Sequence, residues 1–366
     1  MKILITGGHV TPALAVINEL KKDKTIAIVF VGRQYTSDSE LTLTYEYTQI
    51  EKLGIPFIHL TTGKLSRVLA LETVTSLFKV VIGLIQSAAI MRKHKPEAIL
   101  SFGGYLGLPI AIAGYFARVP VYVHEQTIAP GLSNRLIGNI ARKIFVSFPE
   151  TVSLFSKKRT LLTGNPLRPE VFREGNKPFP IVSEKPIIFV MGGSLGSHSI
   201  NVHIENIISE LTKDFVVIHQ TGNIAEYNDY ERLAALNIKN YHVGPHVYQD
   251  NIGWIYRHAA IVVSRAGANT VFELISLQKP SVLIPLPWSA GGEQEQQAAL
   301  MERAGVAVTF DQSDASAKLL DLIKQAYKNR EQYRRNFAKL RHLIQPDAAK
   351  KIIAAIIPKP ADHERH

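Results

Sequence analysis

A short apolar run that leads into paired glycines and then a helix occurs at the start of this chain and again just past its middle. Lys2-Ile3-Leu4-Ile5 runs into Thr6-Gly7-Gly8-His9, and Pro12 opens a helical stretch through Leu20, a position where proline is well tolerated. Ile187-Ile188-Phe189-Val190 runs into Met191-Gly192-Gly193-Ser194-Leu195-Gly196, followed by an apolar-periodic helix from Ile200. Glycines at a strand's end let the backbone come close to a ligand, and the helix start behind them presents unpaired N–H groups to an anion. Few folds accommodate that arrangement twice in one chain.

Between the two glycine turns the alternation continues. Further strands are expected at 26–31, 98–101, 119–124 and 144–147, with helices at 106–116 and 132–139. After the second turn, strands are expected at 216–219, 261–264 and 281–284. Alternation of this kind predicts an α/β chain with open parallel sheets wound on both faces. A length of 366 residues suits two domains. The Pro-, Gly- and charge-rich segment 164–184 reads as the linker, giving a first domain over 1–165 and a second over 166–345. A final amphipathic stretch, 348–357, follows Pro346.

The chain has no cysteine, which excludes disulfides, thiolate metal ligation and thiol nucleophiles. The apolar run Met1–Ile5 is too short for a secretory signal. The longest apolar stretch, Val74–Met91, is interrupted by Lys79 and Gln86 and reads as a helix on or under a surface rather than one that crosses a membrane. Lysines and arginines number 42 against 31 acidic residues, for a net charge of +11, and most of that excess lies in the first 165 residues. An anionic partner is therefore expected. The basic residues are interleaved with aliphatic ones and no aromatic stacking platform accompanies them, so a nucleic acid is not the expected partner.

Four clusters can carry chemistry. Thr6-Gly7-Gly8-His9-Val10 lacks the G-x-G-x-x-G spacing, and Phe30-Val31-Gly32-Arg33 ends the second strand without an acidic residue, so a dinucleotide cofactor is disfavoured. His9 at the mouth of this turn is either a helix cap or a proton acceptor. His124-Glu125-Gln126 follows the apolar run Val119–Val123, either as a loop cluster or as polar groups that meet a ligand. In Ser264-Arg265-Ala266-Gly267-Ala268-Asn269-Thr270-Val271-Phe272-Glu273, a strand gives way to small residues and then a helix. Glu273 there can grip vicinal ribose hydroxyls or simply favour the helix dipole. The glutamine-rich helix start Gly291-Gly292-Glu293-Gln294-Glu295-Gln296-Gln297 can read sugar hydroxyls or face water. No Asp-x-Asp pair suggests a divalent-cation site.

Taken in order and spacing, these clusters resemble the MurG family of UDP-GlcNAc transferases across essentially the whole chain. The resemblance also rests on Gly63-Lys64-Leu65 with Arg67, Gly103-Gly104-Tyr105, Gly131-Leu132-Ser133-Asn134 and Gly164-Asn165-Pro166-Leu167-Arg168. It implies the GT-B architecture, two Rossmann-like domains with parallel sheets facing across a cleft, with the tail 346–366 returning to the first domain. It implies inverting transfer of GlcNAc from UDP-GlcNAc to the muramyl 4-hydroxyl of undecaprenyl-linked lipid I, giving lipid II for peptidoglycan, with UDP-GlcNAc as substrate and neither cofactor nor metal. His9 is the first choice for base and Glu125 the second. Donor contacts fall on Arg168, Ser194, Ala268, Asn269, Thr270, Val271, Phe272, Glu273 and Gln294. Acceptor contacts fall on Gly7, Gly8, Gly103, Gly104, Tyr105, Thr127 and Asn134.

The resemblance further implies a peripheral protein at the cytoplasmic face of an anionic membrane, for which the basic, apolar region 52–143 is the expected docking surface. Other readings of the same residues are another UDP-sugar lipid transferase, a UDP-GlcNAc epimerase of like build, or a silent UDP-GlcNAc-binding membrane scaffold. The chain departs from the family in one notable place: Leu4-Ile5-Thr6 leads straight into Gly7-Gly8-His9, a shorter loop before the histidine. Thr127, Asn269 and Gln297 also differ from the commonest residues at their places.

Overall fold

The structure is a computed structural model that describes residues 1–35, 43–63, 72–193, 196–224 and 226–357, with the backbone alone for 72–78. Ser194, Lys64, Leu65 and Arg67 lie outside the described residues. Contacts divide the chain into two compact units, Met1–Arg168 with Gln345–His366, and Pro169–Ile344. The division falls after Arg168, so this residue ends the first unit.

The first unit runs β1 (Lys2–Thr6), α1 (Val10–Leu20), β2 (Ala27–Gly32), α2 (Tyr45–Lys52), β3 (Phe57–His59), α3 (Glu72–His94), β4 (Ala98–Ser101), α4 (Gly104–Phe116), β5 (Val121–Glu125), α5 (Leu132–Ile140), β6 (Lys143–Val146), α6 (Pro149–Val152) and β7 (Thr160–Leu162). Its strands pair in parallel in the order β3-β2-β1-β4-β5-β6-β7. Alternate residues feed two cores. Ile3, Ile5, Phe30 and Leu100 pack with Val16 and Ile17 of α1, while Leu4, Val31, Ile99 and Val123 pack with Leu106 and Ile110 of α4. Covering both faces with helices is what makes the inner strands apolar without interruption.

The second unit runs β8 (Ile187–Met191), α7 (His198–Asp214), β9 (Val216–Gln220), α8 (Asp229–Ala234), β10 (Tyr241–Gly244), α9 (Gln249–His258), β11 (Ala259–Ser264), α10 (Ala268–Leu277), β12 (Ser281–Leu283), α11 (Glu293–Ala304), β13 (Ala307–Thr309), α12 (Ser316–Lys328) and α13 (Arg330–Asn336). Its parallel order is β10-β9-β8-β11-β12-β13. Helix α14 (Ala348–Ile356) then belongs to the first unit, where Ile352 and Ile356 share a buried cluster with Ala13, Ile17 and Leu20.

In both sheets the strand order reverses beside the strand that carries the glycine turn, between β1 and β4 and between β8 and β11. At such a reversal the flanking loops part, and the carboxyl ends of the two strands open a crevice. Gly7-Gly8 and Gly103-Gly104 stand at the first reversal, and Gly192-Gly193 with Ala266-Gly267 at the second.

Candidate functional sites in the two units

At the β1/β4 reversal the two glycine turns touch. Gly8 has φ +131°, and a methyl group there would collide with the Gly103 carbonyl and lie 3.0 Å from Gly104 N. Only glycine at this position lets the turns meet. Below them Thr6 Oγ1 donates to Ser101 Oγ (3.0 Å), which accepts from Gly103 N–H (3.2 Å). Helix α4 begins at Gly104, two residues before the expected start, so Tyr105 sits in its first turn.

His9 occupies the N-cap position of α1, yet its ring makes no capping hydrogen bond. The cap reading therefore fails. Burial lowers the imidazole below the ordinary histidine value, and the Glu125 carboxylate opposes that shift.

The strand expected at 119–124 starts two residues later, at Val121, because Val119 N–H is spent on Gly114 O and Pro120 has no N–H to give, and it ends one residue later. Glu125 is therefore the last residue of β5, after His124, and not the first beyond it. Glu125 is buried, and each of its oxygens is held twice. Oε1 accepts from Thr127 N–H (2.9 Å) and Thr127 Oγ1 (2.7 Å), and Oε2 accepts from Asn134 Nδ2 (2.8 Å) and Gly131 N–H (3.3 Å). Thr127 and Asn134 are therefore brought together by this carboxylate. His124 is pushed down to about 3 by burial, so it stays neutral.

In the second unit Arg265 ties the strand ends together. Its Nη2 donates to Ser197 Oγ (2.7 Å) and Gln312 Oε1 (2.9 Å), and its Nη1 to Ile284 O (3.1 Å). Burial lowers its guanidinium to about 10, still protonated at neutral pH. The clamp fixes Ser197, the N-cap residue of α7 and the exit of the glycine turn. Gln220 Nε2 holds the same turn through Gly193 O (2.9 Å).

Ala268, Asn269, Thr270, Val271, Phe272 and Glu273 form the first two turns of α10. Glu273 lies beyond the first turn and is buried, with Oε2 accepting from Tyr256 Oη at 2.8 Å. That position excludes the helix-dipole reading, which needs the first turn. Gln294 closes the loop before α11: its Oε1 accepts from Leu286 N–H (3.0 Å) and its N–H donates to Ser289 Oγ (3.2 Å). Gln297, read from sequence as part of a solvated face or a sugar contact, is instead buried and donates to Ala266 O at 2.7 Å. Tyr256 and Gln220 were not singled out by sequence reasoning, and Arg265 was named in its cluster without a role. Arg265 alone had a signal, as the charged residue directly after an apolar strand.

Three comparisons bear on these sites. Residues 6–146 match the model of the glycosyltransferase family 28 N-terminal domain, and residues 187–352 match that of its C-terminal domain. Two relatives, from Clostridium tetani and Clostridium kluyveri, are each 35% identical to this chain. The first covers 92% of this chain and 92% of its own, the second 97% and 98%. Both are described as UDP-N-acetylglucosamine–N-acetylmuramyl-(pentapeptide) pyrophosphoryl-undecaprenol N-acetylglucosamine transferase. Among solved structures, MurG of Acinetobacter baumannii aligns with TM-score 0.71 at 23% identity, over 97% of this chain and 99% of its own. At that identity the structural match speaks for the fold.

Proposed function

The chain belongs to glycosyltransferase family 28, among the N-acetylglucosamine transferases that act on pyrophosphoryl-undecaprenol-linked muramyl sugars, and from that premise we propose how its residues divide the work. The reaction is transfer of GlcNAc from UDP-GlcNAc to lipid I, giving lipid II. We assign acceptor binding and proton removal to the first unit and donor binding to the second.

His9 is the base that takes the proton of the muramyl 4-hydroxyl as that oxygen attacks the anomeric carbon, with inversion. The observation that carries this choice is the state of Glu125. A carboxylate offers about four acceptor positions, and four donors occupy those of Glu125, so it orients Thr127 and Asn134 rather than receiving a proton. His9, lowered by burial, is neutral at pH 7 and free to accept one. Where the Gly7-Gly8 and Gly103-Gly104 turns meet, with Tyr105 beside them, the peptide N–H groups of Gly8 and Gly104 are the ones assigned to the acceptor's diphosphate, since those of Gly7 and Gly103 are spent on Val31 O and Ser101 Oγ.

In the second unit the start of α7 receives the UDP diphosphate, whose charge grows as the glycosidic bond breaks; preorganised N–H donors suit a leaving group of that kind. Ser194 belongs to this turn by sequence position. Glu273 grips the ribose, Ala268 to Phe272 pass beside the nucleotide, Gln294 meets the sugar, and Arg168, at the end of the first unit, meets the donor's charge. On this account transfer proceeds without a divalent cation. Following labelled GlcNAc from its UDP carrier into butanol-extractable lipid I tests that: the rate in EDTA is expected to stay within about twofold of the rate with added magnesium. A rate that collapses in EDTA and returns with magnesium sinks the metal-free account.

The membrane face is the second proposal for this reaction. No helix among the described residues is long and apolar enough to cross a membrane. On α3, Val81, Ile82 and Ile85 are exposed, and Tyr115 and Phe116 are exposed at the end of α4, which packs against α3. Exposed Arg92, Lys93 and Arg118 follow these apolar residues closely in sequence. Val81 faces water, while Leu84 is half-buried and Ile90 and Met91 are buried, so α3 turns one face to the core and another outward. Apolar insertion combined with about 1 kcal/mol per basic residue supports reversible docking on an anionic bilayer. Phe116→Asp is expected to lower flotation with phosphatidylglycerol vesicles at least about threefold while leaving UDP-GlcNAc binding intact, and equal flotation of both proteins counts against this face.

A further inference from the structure

Helix α2 carries a carboxylic acid that the chemistry above does not use. Glu46, in the first turn of α2, reaches the corner where the turn after β1 meets the ends of β2 and β3. A methyl group on either Gly7 or Gly32 would run into Glu46 Oε1, so that oxygen rests against the α-carbons of both glycines, with the Phe57 ring alongside. Oε1 is sealed from water and has no hydrogen-bond partner, while the residue as a whole is half-buried. The titratable groups on the adjoining segments are His9 on the turn, Arg33 and Tyr35 after β2, His59 ending β3 and Tyr47 on α2. Tyr47 donates to Glu51 and His59 accepts from Gln34 N–H, and none of the five hydrogen-bonds Oε1.

An ionised carboxylate buried without a partner is costly, so the group keeps its proton instead. Burial pushes Glu46 up to about 8. The acid is therefore neutral at pH 7 and becomes charged as pH rises through that value.

We propose that Glu46 is a charge gate behind the Gly7-Gly8 turn, a positioning residue that braces the turn as a neutral acid and repels the acceptor's diphosphate once ionised. This rests on the reading that the turn receives that diphosphate. The sign follows directly: acceptor binding weakens as pH rises through the titration of Glu46, while donor binding, assigned to the other unit, does not.

The test measures the KM for lipid I and, separately, for UDP-GlcNAc from about pH 7 to about pH 9.5, in the wild type, Glu46→Gln and Glu46→Met. The wild-type acceptor KM is expected to rise about tenfold over that range, as one added charge close to a dianion implies. The donor KM is expected to stay within about twofold, and both variants are expected to flatten the acceptor rise to less than about twofold. A flat wild-type profile, or a rise that persists in both variants, overturns the gate. Gly8→Ala separates this from the reading beneath it. If that variant keeps the wild-type acceptor KM, the turn is not the diphosphate site and both ideas fall. If it loses acceptor affinity while the rise survives in Glu46→Gln and Glu46→Met, the gate alone falls.

Discussion

Replacing His9 with alanine is expected to lower kcat by about 10²- to 10⁴-fold, the usual contribution of a positioned general base, while the KM for UDP-GlcNAc changes less than about threefold. The split matters because His9 lies in the first unit, and the residues assigned to the donor, Arg168 apart, lie in the second. The wild-type pH profile gives an independent check. A base must be unprotonated to work, and burial holds His9 below the ordinary histidine value, so activity is expected to fall on the acid side only below about pH 6.5. Glu125 opposes that shift, so Glu125→Gln is expected to move the acid limb to still lower pH. If His9→Ala retains more than about a tenth of wild-type turnover, proton removal belongs to another group.

Much of the fold was legible in the chain, and what escaped has one physical cause. The nine strands expected from the sequence all lie inside the two sheets. The four that escaped, β3, β7, β10 and β13, are the four edges. Ile187–Met191 is buried throughout, whereas Tyr241–Gly244 is only half-buried along its length and Thr160–Leu162 exposes its middle residue. A buried parallel strand announces itself by an unbroken apolar run, and a short edge strand facing water on one side has none to show. Part of the segment expected as linker packs against the second unit. Val171, inside the segment 164–184, is buried, and Glu170 and Arg173 place their carbonyls against Gly253, so this part of the segment joins the second unit.

The sites were legible where glycines or polar residues interrupt an apolar strand, as at Gly7-Gly8-His9, Glu125 and the stretch from Ala268 to Glu273. Their pairings were not. Asn134 is nine residues from Glu125, Tyr256 is seventeen from Glu273, and Ser197 is sixty-eight from Arg265. Packing of separate elements alone brings these pairs together, and periodicity within one element carries no trace of it. The same limit hid Glu46, which looks like an ordinary acidic residue at a helix start until Gly7 and Gly32 are placed against it.

Glu273→Ala is expected to lower kcat/KM for UDP-GlcNAc by about 10- to 100-fold, mostly through KM, because hydrogen bonds to a charged group contribute about 1.5–3 kcal/mol each. Tyr256 fixes the carboxylate through Oε2 at 2.8 Å, so Tyr256→Phe is expected to cost less, about three- to tenfold, by loosening its orientation. Both residues are buried, and either change could act by disturbing α9 and α10 instead of the ribose. A donor lacking the 2′-hydroxyl separates the two causes. If Glu273 grips the ribose, removing the hydroxyl and removing the carboxylate abolish the same interaction, and their effects on kcat/KM fall short of additive. Full additivity, together with a lowered melting temperature for Glu273→Ala, would make this glutamate a support for the helix packing and leave the ribose to be held by other groups.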